Sequence, residues 1–302
     1  MTKEELLQAK ERADAVVLAH YYVPEEVQAI ADCVGDSFYL AKIAADTEKQ
    51  TIVFCGVRFM GESAKILNPS RRVLLPEESA DCPMAHMASA EQIARLRAEV
   101  PDLAVVCYIN SSAALKGLSD VCVTSSNAVK IVRALPNKNI LFIPDENLGR
   151  WVQEKVPEKN FYFSGGHCPV HACLTAEAVA AAKAAHPAAA VAAHPECRGE
   201  ILALADFVGS TSEIIGFAKK RPAGELIVAT EPGVLYELKR QCPGGKFYPV
   251  TGVCEDMKRV TLAKTLACLS GGGYEVRVDE TAAAAARRPL KRMLELAEQD
   301  KK

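Results

Sequence analysis

The sequence has no long apolar run, no excess of positive charge and no C-x-x-C pair among its eleven cysteines. Each absence narrows the field. The longest apolar stretches are broken by His, Lys or Pro, and none approaches the roughly 20 residues that a helix needs to cross a bilayer. Net charge is −2 with both signs mixed, so there is no footprint for nucleic acid. The start, Met1-Thr2-Lys3-Glu4-Glu5, reads as a charged helix opening rather than an export signal. Eleven cysteines without such a signal point to a reducing, cytoplasmic compartment and away from a disulfide framework. At 302 residues the chain can bury a full core, in one large domain or in two to three small ones.

What is present is a repeat. Cys82, Cys168 and Cys254 are spaced by 86 residues, and the residues preceding each cysteine recur as well. Each copy holds an apolar run followed by polar residues: His20-Tyr21-Tyr22, Tyr108-Ile109-Asn110 and His194-Pro195-Glu196. Each then holds an Asp-led segment (Asp32 to Ser37, Asp120 to Ser125, Asp206 to Thr211), a second apolar run and the cysteine. Counted back from the cysteines, Tyr22, Tyr108 and His194 align, as do Asn110 and Glu196; Asp32 and Asp120 are 88 apart instead. One unit used three times is the simplest account.

Each unit reads as strand, helix, helix, strand, helix, strand, cysteine loop. Val16 to Ala19, Thr51 to Cys55 and Val73 to Leu75 are continuous apolar runs, as expected of strands buried on both faces. Ala188 to Ala193 has poor strand propensity, and only the repeat makes it a strand. Later segments predict a helix over Val260 to Leu269, a strand over Tyr274 to Val278 and a final helix from Pro289 to Ala297 with a charged tail. Strands alternating with helices imply parallel sheets with right-handed crossovers. The expectation is three homologous small α/β domains, 1–87, 88–173 and 174–302, with parallel sheets about a pseudo-threefold axis and the active site at the centre. The last domain would end in a C-terminal helix packing back.

Ligands in such sheets sit at the carboxyl ends of the strands. Three thiolates meeting there suit a metal. Structural zinc usually takes four ligands, and ferredoxin-like carriers use four locally clustered cysteines. Three ligands on a [4Fe–4S] cluster would leave one iron open as a Lewis acid. Three buried structural thiols remain the alternative. Tyr22, Tyr108, His194 and Glu196 can transfer protons, Glu196 as a base if burial raises its pKa. Strand-end capping is the blander use of such residues. Ser37, Ser125 and Ser210-Thr211 each precede a helix, where hydroxyls and free N–H groups bind phosphate or carboxylate, or simply cap. At least one of the three is expected to be only a cap. His171 either faces the site or bonds its own loop. His86, His167 and His186 have no repeat partner and read as incidental.

The chain resembles the quinolinate synthase family over essentially its whole length. The matching motifs are Ala19-His20-Tyr21-Tyr22, Asp32-x-x-Gly35-Asp36-Ser37, Tyr108-Ile109-Asn110 and Thr124-Ser125-Ser126-Asn127. They continue with Pro144-Asp145-x-Asn147-Leu148-Gly149, Cys168-Pro169-Val170-His171 and His194-Pro195-Glu196-Cys197. Gly209-Ser210-Thr211, Ala229-Thr230-Glu231-x-Gly233 and Cys254 with Met257-Lys258 complete the set. The resemblance implies a [4Fe–4S] cluster on Cys82, Cys168 and Cys254. It implies condensation of iminoaspartate with dihydroxyacetone phosphate to quinolinate, phosphate and water, with no nucleic-acid or membrane partner. A functional link to an aspartate-oxidising or dehydrogenating enzyme would supply iminoaspartate. Carried over by position, His20, Ser37, Tyr108, Ile109, Asn110, Ser125, His171, His194, Pro195, Glu196, Ser210 and Thr211 bind substrate. Tyr22, Tyr108, His194 and Glu196 take the catalytic roles. The family more often has Gly before the first cysteine, where this chain has Asp81, and Pro-Asn or Pro-Ser after the third, where it has Glu255-Asp256.

Overall fold

In the computed structural model, residues 2–250 and 252–299 are described. Met1 of the expected helix start and Asp300, Lys301 and Lys302 of the charged tail lie outside the described residues. The fold is α/β and contains three sheets. The first is built from β1 (Ala15–His20), β2 (Cys33–Gly35), β3 (Thr51–Cys55) and β4 (Arg72–Leu75) in the order β4-β3-β1-β2. The second takes β5 (Leu103–Tyr108), β6 (Val121–Val123), β7 (Asn139–Ile143) and β8 (Asn160–Phe163) in the order β8-β7-β5-β6. The third takes β9 (Ala190–Ala193), β10 (Phe207–Val208), β11 (Glu225–Ala229) and β12 (Lys246–Pro249) in the order β12-β11-β9-β10. The repeat is therefore topological as well as sequential. A last strand, β13 (Tyr274–Glu275), is shorter than expected and joins the first sheet antiparallel to β4.

The apolar runs behave as two-faced buried strands. β3 is buried at all five positions and β5 at all six. The alanine-rich β9 is a strand in spite of its composition. Its ladder with β11 runs from Ala190↔Leu226 to Ala193↔Ala229, and a core of Leu174, Val179, Val191, Ile201 and Ile227 packs around it. Tertiary packing overrides weak propensity here.

Three readings of the sequence are corrected. Each repeat holds an extra short strand (β2, β6, β10), because two or three residues are too few to show a period. The final helix runs from Glu280 to Glu298 with Pro289 inside it, and Asp279 caps it by accepting from Ala282 N–H. The proline reads in sequence as a helix start, yet it sits buried in mid-helix. Thirdly, the ladders shift the alignment of the first repeat by two residues. Ala19 pairs with Cys55, Cys107 with Ile143 and Ala193 with Ala229. His20, Tyr108 and His194 are therefore the equivalent strand ends, and Tyr22 matches Asn110 and Glu196. The same register places Asp32 Oδ2 on Val17 N–H at 2.7 Å and Asp206 Oδ2 on Val191 N–H at 2.8 Å.

By compactness the chain forms two units. The first comprises Met1–His86, Ile109–Cys122 and Glu255–Lys302. The second comprises Met87–Tyr108 and Val123–Cys254. In the first unit, helix Ala113–Gly117 packs against the C-terminal helix, where Gly117 lies so close that a Cβ would be 2.9 Å from Ala285 Cβ. Lys116, fully buried, reaches Ser63 Oγ at 2.9 Å. Arg287 and Arg292 of the C-terminal helix donate to the carbonyls of Ile66 and Asp120.

In the second unit, Gly166 sets the approach to Cys168. It bridges to Asp145, and its carbonyl accepts Glu146 N–H at 2.8 Å. A Cβ on Gly166 would stand 2.6 Å from Pro144 O and 2.7 Å from Met87 Cβ. Backbone cannot yield as a flexible side chain can. Gly166→Ala should therefore destabilise the chain by about 1–3 kcal/mol, seen as a lower urea midpoint at unchanged slope.

Candidate active site

The second unit gathers polar side chains from the ends of its two sheets. Glu196 follows β9 and is 4 % exposed. Tyr108, the last residue of β5, donates its hydroxyl to Glu196 Oε1 in a short hydrogen bond. His171, in the helical turn Pro169–Ala172 and 1 % exposed, places Nδ1 2.7 Å from Glu196 Oε2. Its Nε2 is 2.9 Å from the Thr230 hydroxyl. A carboxylate can only accept, so His171 donates from Nδ1. The same Nδ1 is 3.2 Å from Cys168 Sγ, and the hydrogen is shared between sulfur and carboxylate. His194 stacks on His171 with centroids 4.7 Å apart. Glu196 N–H donates to His194 Nδ1 at 3.3 Å, which leaves the proton of the neutral ring on Nε2, 3.3 Å from Ser125 Oγ. Asn147 Nδ2 donates to the Glu196 carbonyl at 3.2 Å.

Burial works on each group in turn. It pushes the Glu196 carboxyl up, but His194, His171 and the Tyr108 hydroxyl outweigh it, and the pKa lies below the usual carboxylate range. The sequence-based condition, a base strengthened by burial, is thus reversed: Glu196 is held ionised by its donors. Burial drives His194 down to about 3, with His171 assisting and Glu196 opposing, so the ring is neutral at ordinary pH. Asp145, fully buried, is raised well above its normal value by burial and then by the nearby Glu196 charge. Burial likewise raises the Cys197 thiol far above the usual range, whereas Cys173 is exposed.

The first unit carries the other predicted residues. His20 ends β1, buried, and its Nδ1 accepts Tyr22 N–H at 3.2 Å. The Tyr22 ring meets it edge-on at 4.5 Å, and Lys258 Nζ donates to the Tyr22 carbonyl. This copies the His194–Glu196 turn of the second unit. Ser37 is the first residue of helix Ser37–Asp46, and Asp36 is the cap. Ile109 is buried, and Asn110 Oδ1 is a buried acceptor with no hydrogen-bond partner among the described residues. Such an orphan costs about 1–3 kcal/mol unless a ligand satisfies it.

The three cysteines expected as metal donors divide similarly, with Cys82 in the first unit and Cys168 and Cys254 in the second. All three are half-buried, as is Cys33, whereas Cys55, Cys107, Cys122, Cys197, Cys242 and Cys268 are buried and Cys173 is exposed. Half-buried thiols with satisfied backbones fit ligand positions better than core positions do. Cys168, His171 and Glu196 also form a group whose donor atoms lie within 4.8 Å of one another. His171 and Glu196 touch at 2.7 Å, however, which is hydrogen-bonding distance and too close for two ligands on one ion. The donor set therefore favours thiolates, with His171 and Glu196 beside them.

Residues 4–295 match the profile of the quinolinate synthetase A protein family. Quinolinate synthase from Caldicellulosiruptor saccharolyticus is 49 % identical over 296 residues, covering 97 % of this chain and 98 % of that one. That from Fusobacterium nucleatum is 48 % identical over 296 residues, covering 98 % and 99 %. That from Methanoregula boonei is 46 % identical over 298 residues, covering 98 % of each. The chain belongs to the quinolinate synthetase A family. Among the described residues no helix is long and apolar enough to cross a membrane.

Against the sequence-based expectations, the structure brings Tyr108, Ser125, His171, His194 and Glu196 together with Cys168. Pro195 is buried in the turn between His194 and Glu196. Ser210 caps helix Thr211–Lys219 by accepting Glu213 N–H in a capping box, and the buried Thr211 is its first residue. Of the incidental histidines, His86 pairs with Asp81 at 2.8 Å and His186 stacks on Tyr248. Sequence reasoning gave no role to Thr230, Asn147, Asp145 or Glu231. The 86-residue offset between Asp145 and Glu231 was the available signal.

His194 sets a pH dependence. Its folded pKa of about 3 lies below the ordinary 6.5 of the unfolded chain, so the unfolded state takes up the proton first. Stability is full above about pH 6.5 and falls as pH drops toward 3, by at most about 1.4 kcal/mol per pH unit for this one group. His194→Gln should flatten that part of the curve, measured as urea midpoints across pH.

Proposed function

We propose that the chain condenses iminoaspartate with dihydroxyacetone phosphate to quinolinate, phosphate and water, as a cytoplasmic step of NAD biosynthesis. The observation that carries this reading is the buried carboxylate of Glu196, held between Tyr108 and His171 beside Cys168. Cys82, Cys168 and Cys254 would hold a [4Fe–4S] cluster, with the domains 1–87, 88–173 and 174–302 placed about a pseudo-threefold axis. When bound through three thiolates, such a cluster supplies a Lewis acid with one coordination position free for a substrate carboxylate or hydroxyl.

The side chains supply the rest. Glu196, ionised, takes a substrate proton when substrate displaces one of its donors, and the Tyr108 hydroxyl passes protons onward. His194, neutral with Nε2–H toward Ser125, donates to an anionic substrate group. Tyr22, seated against His20, is a second hydroxyl for proton transfer. Ser37 and Thr211 stand at the first positions of their helices, where the helix N-terminus favours phosphate or carboxylate. Asn110 Oδ1 awaits a donor from substrate. Partners are small molecules, with an aspartate-oxidising or dehydrogenating enzyme linked through the labile imine; neither nucleic acid nor membrane is called for.

The test is an anaerobic assay of quinolinate formation that depends on dihydroxyacetone phosphate. Glu196→Gln should keep the brown cluster absorbance and lose about 10²–10⁴-fold in turnover; undiminished turnover would refute the role of Glu196. Cys168→Ala should lose the absorbance, and a full complement of iron and sulfide in that variant would rule out Cys168 as a ligand.

A further inference from the structure

Behind the repeated cysteines lies a second repeat, of carboxylates. Asp145 stands two residues past β7 and Glu231 two residues past β11, and each caps the helical turn that follows. Asp145 Oδ1 accepts Leu148 N–H at 2.8 Å, and Oδ2 accepts Cys168 N–H at 3.1 Å. Glu231 Oε2 accepts Gly233 N–H at 2.6 Å, and Oε1 accepts Cys254 N–H at 3.2 Å. Both residues are 0 % exposed. In each, one oxygen serves the cap and the other the cysteine.

The first repeat lacks the device. Two residues past β3 stands Val57, which starts helix Arg58–Leu67 with no side-chain cap. The backbone is otherwise equivalent: Arg58 N–H donates to Ala80 O as Glu146 N–H donates to Gly166 O, each carbonyl two residues before its cysteine. There Cys82 N–H donates to Asp81 Oδ1 at 2.8 Å, and Asp81 Oδ2 takes His86 at 2.8 Å. A different residue, reached by a different route, meets the same backbone group.

We propose that Asp145, Glu231 and Asp81 are positioning residues for the three cysteine ligands, each fixing its cysteine by holding the backbone N–H on a carboxylate oxygen. The inference rests on the cluster reading above. The requirement is for a carboxylate and not an amide. Both oxygens of Asp145 and Glu231 accept, whereas Asn or Gln has one acceptor and turns an NH₂ toward an N–H. There is an electronic consequence too. A cysteine N–H not held in this way would be free to donate to cluster sulfur, and such a bond would raise the reduction potential. The side-chain oxygens of Asp145, Glu231 and Asp81 remove that donor.

Wild type, Asp145→Asn, Glu231→Gln, Glu231→Asp and Asp81→Asn would be reconstituted anaerobically. Iron and sulfide content, iron loss to a chelator and the cluster's reduction potential would be measured, with far-UV circular dichroism of the apo chains as the control for folding. Asp145→Asn and Glu231→Gln should keep the apo fold, lose iron about tenfold faster and move the potential positive. Asp81→Asn should shift both the same way by less, because Asp81 is half-exposed. Glu231→Asp, which keeps two accepting oxygens, should lie nearer wild type than Glu231→Gln. Folded, loaded variants with wild-type iron loss and potential would overturn this inference alone. A wild-type chain that takes up no iron and sulfide would overturn the cluster reading and this inference with it. Should Asp145→Asn fail to fold, the Glu231 pair and Asp81→Asn decide the matter.

Discussion

A carboxylate shut away from water has to be met by donors, and in the second unit that carboxylate is Glu196. An unpaired buried charge costs several kcal/mol, enough to consume much of a domain's net stability. Tyr108 comes from the sheet of β5, and His171 from the turn after β8, while Glu196 itself follows β9. Satisfying one charge therefore fixes the ends of two sheets with respect to each other. The outer bonds follow from the same need. Thr230 meets the other ring nitrogen of His171, and Asn147 holds the Glu196 carbonyl. Each polar side chain named here thus already has a partner within the unit.

Much of this was legible in the sequence. The spacing of the cysteines, the apolar runs and the polar residues after them gave the strands and the class of fold. Tyr108, Ser125, His171, His194 and Glu196 were marked by position, and the second unit places them in contact. The misreadings have physical causes. Strands of two or three residues, such as β10, carry no period. The two-residue slip in the first repeat came from counting back from Cys82. The extra residues lie after Val57, between the equivalent backbone bonds at Arg58–Ala80 and Glu146–Gly166, not near Tyr22. The 88-residue spacing of Asp32 and Asp120 already marked the insertion, and ladder register places it beyond β3. The roles of Asp145 and Glu231 were hidden for another reason: their partners are backbone N–H groups, which leave no mark in sequence.

That the three sheets share one strand order explains why all the polar residues of interest follow strands. In a parallel sheet every strand ends on the same edge, and that edge is where free backbone groups and loops meet ligand. His20 with Tyr22 and His194 with Glu196 show how closely the turns are copied: in both, the histidine Nδ1 accepts the N–H two residues on. The side chains diverge, and the tip is Tyr22 in one copy, Asn110 in the second and Glu196 in the third. One scaffold thereby offers a hydroxyl, an amide and a carboxylate at equivalent places.

The two buried acids near Cys168 show how the fold separates proton chemistry from support. Asp145 and Glu196 repel each other, and both are buried, so their affinities for protons are driven apart. Depth does not distinguish them; their partners do. Asp145 bonds to backbone N–H groups, which give up no proton at ordinary pH and can only orient. Glu196 bonds to a tyrosine hydroxyl and a histidine ring, both of which can exchange protons with a neighbour. Of these two carboxyl groups, only Glu196 is connected to groups that can carry a proton away. The other, by the same reasoning, is free to serve the loop that carries the thiol.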